Sequence, residues 1–286
     1  MSGEGSLVSA RPAPRAPGLA PGTVWLLGAV LVGGRAVLDM TLGADRAEPW
    51  QRAVEILTAA VTVAVAVSFS AGDPPRRPWT VLAVAMAILP AVRVLSHFQV
   101  KLADVAVAHV LLILGNIAMA AAVIGFGRVL GSSELLSERS AEDRVRATTV
   151  VALLATGALA MLAFPTFELV GRGMPATLGA WFAAAVIIVS TLCDALVFAG
   201  GMYLVWLVRP LLGGSLARPY LLIAIAGGAF LVVDMLLVTV GATTQTELLG
   251  TDLRTYMTKW LGCLAFTGFA LAGATQLALL RSARRR

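Results

Sequence analysis

Apolar runs of about twenty residues recur along the whole chain, separated by short polar or proline-rich stretches, which is the pattern of helices that cross a bilayer. Eight such helices are predicted. The first runs from about Thr23 to Leu42 and the second from about Gln51 to Ala71. The Asp73-Pro-Pro-Arg-Arg-Pro78 turn then breaks the chain before a third, Trp79 to His97, in which Pro90 predicts a kink. A fourth covers about Asp104 to Leu130. Ser140-Ala-Glu-Asp143 has the S-x-x-[DE] form of a capping box, so a fifth helix starts in water near Ala141, enters the membrane near Thr148 and ends near Glu168. The sixth, about Leu178 to Val208, is unusually long: at 1.5 Å per residue it reaches about 45 Å, beyond a hydrocarbon core of about 30 Å, and must tilt, bend or protrude. The seventh covers about Tyr220 to Val240 and the eighth about Thr255 to Leu280. The predicted fold is all-α, a polytopic transmembrane bundle of about eight helices. It forms one domain over residues 23–286, preceded by a Pro-, Gly-, Ala- and Ser-rich tail, residues 1–22, read as flexible and cytoplasmic.

One stretch of this pattern repeats. Trp25 to Met40 is echoed without gaps by Tyr220 to Met235, the two agreeing at seven of sixteen positions. Apolar composition inflates such a count, and the unusual part is the shared pair Asp39-Met40 and Asp234-Met235. A third segment, beginning at Trp79, also places a charge fourteen positions on, at Arg93. The common plan is an aromatic residue at one membrane face and an ionisable residue in the opposite half. Because the first helix echoes the seventh rather than the fifth, no clean four-plus-four duplication emerges.

Composition agrees with a membrane protein: 58% of residues are hydrophobic and only 13% charged, against roughly 25% charged in soluble domains. Charge then orients the bundle. With the N-terminus inside, interior segments carry fourteen basic residues: Arg11, Arg15, Arg76, Arg77, Arg128, Arg139, Arg144, Arg146, Arg209, Arg218, Arg281, Arg284, Arg285 and Arg286. Exterior segments carry six, Arg46, Arg52, Lys101, Arg172, Arg254 and Lys259. That bias follows the positive-inside rule and places both termini in the cytoplasm of a cell-membrane protein. The net charge of +6 does not point to nucleic acid, since the C-terminal arginines follow directly on an apolar helix and read as an anchor against anionic lipid. Cys193 and Cys263 both fall inside apolar segments with no paired spacing, so they read as buried small hydrophobes.

The ionisable residues inside the helices separate by depth. Arg35, Asp39, Glu55, Arg93, His97, His109, Asp234 and Lys259 fall in the outer half or at its edge. Charges in hydrocarbon are expensive unless paired or hydrated. Two arrangements satisfy that condition: a cavity open to the exterior, or interhelical salt bridges that lock the bundle. Arg35 and Asp39 stand four apart on one helix face, as do Arg93 and His97. Asp194 is different, sitting near the middle of the long sixth helix with Ser190 and Thr191 on adjoining parts of its face. Low dielectric disfavours the charged form of such a carboxyl, which suits proton coupling or cation binding; the plain alternative is a protonated structural aspartate. Asn116 reads as interhelical glue, and the glycine pairs Gly33-Gly34, Gly200-Gly201 and Gly227-Gly228 as sites of close helix packing.

No zinc motif, nucleophile elbow or phosphate-cradling loop accompanies these residues, and no cofactor or metal is expected. The expected function is translocation of a small solute or ion through an outward-facing polar cavity. Its pathway residues are Arg35, Asp39, Glu55, Arg93, His109, Asp194, Asp234 and Lys259. The rival expectation is a non-transporting membrane subunit or scaffold whose charges only stabilise helix packing. The expected partners are the lipid bilayer, the solute or ion, and a membrane-protein partner or second copy of the chain. A membrane-embedded enzyme stands third, since no catalytic constellation is present.

Overall fold

In a computed structural model the described residues are 19–102, 104–132, a discontinuous set of positions between 142 and 160, 177–211, 214–239, 247–248 and 251–284. Seven described helices are long and apolar enough to cross a bilayer: α1 (Pro21–Leu42), α2 (Glu48–Ser68), α3 (Arg76–His97), α4 (Val107–Gly131), α5 (Leu178–Leu207), α6 (Arg218–Thr239) and α7 (Leu253–Arg284). The chain is therefore built as an integral, multi-pass membrane protein. The predicted helix from Ala141 to Glu168, with its capping box, lies largely outside the described residues. The positions described there, Glu142, Val145, Thr149 and Leu153 among them, are helical.

Local chemistry sets the helix ends. Pro21 and Pro49 occupy the first turns of α1 and α2, where a missing N–H leaves no helical bond unmade. Gly43 closes α1 at φ 86°, a left-handed conformation that suits glycine. Thr177 caps α5, its hydroxyl accepting from the Ala180 N–H at 3.2 Å. Within the apolar interior, Thr58, Thr62 and Thr275 donate to carbonyls four residues back, at 2.7, 2.9 and 2.9 Å, so their hydroxyls do not stand unpaired. Helix α3 runs through Pro90 without a break in its assignment.

The helices close a ring in the order α2–α3–α4–α5–α6–α7, with α7 returning to α2; α1 packs outside it, chiefly on α7. The sense of each seam follows from its contacts. Along α4 and α5, Gly200 lies against Val123 and Gly127 against Tyr203, an ascending register that makes the pair parallel. Along α2 and α7, the Thr58 hydroxyl donates to the Phe266 carbonyl at 2.9 Å and Gly273 lies against Val61 and Val65, again parallel. The ring thus consists of two three-helix halves, α2–α3–α4 and α5–α6–α7, joined side by side in the same sense. In the fold α1 stands outside the ring while its sequence echo, α6, stands within it, so the Trp25–Met40 repeat does not map onto these two halves.

The two middle helices begin alike. Arg77-Pro78-Trp79 opens α3 and Arg218-Pro219-Tyr220 opens α6. Trp79 and Tyr220 both meet Phe126 edge-on, with ring centroids 5.1 and 6.1 Å apart. This basic end also carries Arg76, Arg128, Arg209, Arg281 and Arg284, the last donating to the Ser68 carbonyl. At the other end lie two short antiparallel hairpins that the all-α expectation does not include, Lys101–Leu102 with Val105–Ala106 and Glu247–Leu248 with Thr251–Asp252. The core between the ends is continuous, running from Trp79, Leu82 and Phe126 to Phe266 and Phe269.

Candidate functional site

Two polar clusters lie inside the helical bundle, and they differ in how their charges are met. The first joins α1, α2, α3 and α7 towards the hairpin end. Arg35 is fully buried. Its Nε donates to Asp39 Oδ2 at 2.9 Å, Nη1 to the Ala47 carbonyl at 2.7 Å and Nη2 to the Ala44 carbonyl at 3.3 Å. The same Asp39 oxygen accepts from Trp260 Nε1 of α7 at 2.8 Å. Glu48, the first residue of α2, links two arginines: one carboxylate oxygen stands 3.7 Å from Arg35 Nη1, the other 3.1 Å from Arg93 Nη1. Arg93 reaches on to buried Glu55 at 2.7 Å, and Glu55 also accepts from Gln51 at 3.1 Å.

This network joins four of the predicted pathway residues, Arg35, Asp39, Glu55 and Arg93, in ion pairs; the Arg35 guanidinium is enclosed, while the Arg93 side chain stays half-exposed. Beside it, between α2 and α3, a groove of about 220 Å³ is lined by Arg52, Glu55, Ile56, Pro90, Arg93, Val94, His97 and Phe98. His109 and Lys259 stand apart from the network. His109 Nδ1 is buried without a hydrogen-bond partner. Lys259 makes no ion pair among the described residues.

The second cluster lies between α5 and α6. Glycines bring these helices to backbone contact: a Cβ on Gly201 would stand 2.6 Å from the Ala224 Cα, and one on Gly227 would stand 2.9 Å from the Phe198 nitrogen. The close packing expected of these glycine pairs is thus present, and it decides which side chains meet. Asp194 of α5 faces Asp234 of α6, and Ser190 and Thr191 lie beside Asp234. Asp194 is 3% exposed and Thr191 1% exposed. Asp194 Oδ1, Asp234 Oδ2 and the Thr191 hydroxyl lack hydrogen-bond partners. Ala195 and Leu231, with Phe198 and Met235 packed against them, form an apolar cover over the same stretch.

Asp234 stands beside Asp194 and not in the network of Arg35, Asp39, Glu55 and Arg93. The sequence reading missed that partner, and it also missed Glu48, Gln51 and Trp260 in the first network. One signal was legible: Arg-Pro followed by an aromatic residue opens both middle helices, and counting fourteen positions from Trp79 and Tyr220 makes Arg93 and Asp234 equivalent. In the first half the acid of the opening helix, Glu55, meets an arginine from the middle helix; in the second half Asp194 meets an aspartate. Among the described residues no cation answers the second pair. Compared with protein-family models, curated proteins and solved structures, the chain matches none.

Proposed function

We propose that the protein translocates a small solute or ion across a cell membrane, with its basic end and both termini in the cytoplasm and access from the hairpin end. The observation that carries this reading is the Asp194–Asp234 pair, two carboxyls held together in an apolar interior with no basic side chain beside them among the described residues. Polar groups inside a membrane protein are expensive, and an acid pair left uncompensated is poor glue for a bundle. Two such carboxyls cannot both carry full charge at contact, so they suit a function in which a proton or cation comes and goes. The matching Arg-Pro-aromatic openings of the two middle helices add to this, because related halves around a shared interior are a recurrent basis of alternating access. Arg35, Asp39, Glu55 and Arg93 then position the hairpin-end rim of the pathway, with His109 and Lys259 on the flanking helices.

The test is flux in proteoliposomes carrying a pH-sensitive dye, measured against outside pH for wild type and Asp194→Asn while alkali salts and a panel of small solutes are presented. Asp194→Asn is expected to keep its thermal midpoint and to lose the pH dependence of flux, because the amide keeps the shape without exchanging a proton. Full pH dependence surviving in the folded variant removes Asp194 from the mechanism. A second reading, a non-transporting subunit, draws on a different observation, the complete pairing of Arg35. It predicts no flux from the protein alone and recovery in a stoichiometric complex.

A further inference from the structure

The second carboxyl pair poses a charge-balance problem that the first half of the molecule solves with an arginine. Glu55 of α2 and Asp194 of α5 are the buried acids of the two opening helices. Arg93 of α3 and Asp234 of α6 stand at matching positions of the two middle helices, each fourteen residues beyond the aromatic that packs on Phe126. At the first position the guanidinium lies 2.7 Å from the Glu55 carboxylate and neutralises it. At the second the equivalent side chain is itself an acid.

We propose that the Asp194–Asp234 pair is a binding site for one alkali cation, sodium in the first instance, held where the first half of the molecule holds its guanidinium charge. This deepens the translocation reading, on which it rests, by naming the coupling ion. The ligand set is hard oxygen throughout: two carboxyls, with the hydroxyls of Thr191 and Ser190 beside them. Such donors suit an alkali ion and do not suit a soft metal. One observation beyond the acids themselves points to a ligand. The Thr191 hydroxyl is 1% exposed and unpartnered, and it lies against Asp234. Asp194, 3% exposed, likewise keeps an oxygen free of partners.

Charge balance fixes the stoichiometry. The pair is neutral with two protons, and it is neutral again with one proton and one sodium ion. Binding one sodium therefore releases one proton, and no net charge is left in the apolar interior. A divalent ion reaches neutrality only by displacing both protons, and magnesium dehydrates reluctantly. Besides each other, the titratable group beside the pair is the Cys193 thiol on α5; no other charged side chain acts on the pair from α4, α6 or α7 among the described residues.

The experiment uses the full chain purified in detergent, where no flux is involved, so this proposal and the translocation reading can fail separately. Sodium chloride is titrated at constant ionic strength against choline chloride, with proton release read by an indicator dye in weak buffer and thermal midpoint read in parallel. The expected result is saturable release approaching one proton per chain and a midpoint that rises with sodium and not with choline. A chain carrying both Asp194→Asn and Asp234→Asn, which has no carboxyl left in the pair to exchange a proton for sodium, is expected to lose both responses. Thr191→Val, which removes a hydroxyl and keeps the shape, is expected to weaken sodium about tenfold, and it serves where an aspartate variant does not fold. Absence of both responses in folded wild type overturns the proposal. So does a response that persists in the folded double aspartate variant, or one produced by magnesium or calcium and not by sodium.

Discussion

At the scale of single residues, Arg35 and Asp194 show two ways of keeping an ionisable group inside an apolar bundle. Arg35 is surrounded by acceptors from its own helix, from the turn after it and from Glu48. Removing one partner of such a pair leaves an uncompensated buried charge, at a penalty of about 3–5 kcal/mol. Arg35→Met is therefore expected to destabilise the protein on that order, and Arg35→Met combined with Asp39→Leu to recover most of the loss. Thermal midpoints of the three proteins in one detergent check this; a double variant as unstable as Arg35→Met shows that the backbone bonds of Arg35 matter more than its ion pair. Four-residue spacing made the Arg35–Asp39 pair legible in the sequence, because both groups lie on one helix. Trp260 was not legible as the second partner of Asp39, since it comes from a helix 221 positions away along the chain.

At the scale of elements, the boundaries of the described helices fall within a few residues of those set by apolar runs, proline turns and caps. What apolar runs do not contain is register. Whether Asp234 meets the charges of α1 or the carboxyl of α5 depends on how far α6 is slid along α5, and backbone contact at Gly201 and Gly227 sets that. The glycine pairs were visible in the sequence; which helix each would touch was not, because small residues specify close approach without naming a neighbour. Gly227→Val places branched atoms against Val197 and the Phe198 backbone. It is expected to lower the thermal midpoint by several degrees and to abolish the response assigned to the acid pair. Gly262→Ala, where a Cβ meets nothing within 4 Å, is the matched substitution and is expected to leave both unchanged. Equal behaviour of the two variants argues that α5 and α6 are not held by glycine contact.

At the scale of the whole molecule, the start of α1 and the end of α7 lie at the same end of the bundle: Gly28 packs on Leu271 while Asp39 meets Trp260. If that basic end is cytoplasmic, as the distribution of arginines predicts, a reporter fused after Arg286 is active only in the cytoplasmic format. Activity in the exterior format inverts the topology. Because the seam between α4 and α5 is parallel, Ser132 and Thr177 lie at opposite ends of the bundle. The two seams of the ring are not equivalent. At one, the Leu31 carbonyl of α1 accepts from Trp50 of α2 at 2.8 Å and from the Cys263 thiol of α7 at 3.6 Å, so the outlying helix is fastened to both halves at a single atom. The other seam has no such outlying helix among the described residues. The α2–α7 seam is thus strapped by a third helix: α1 ties the two halves together through one carbonyl oxygen, and loss of either donor, Trp50 or Cys263, leaves that oxygen held to one half only.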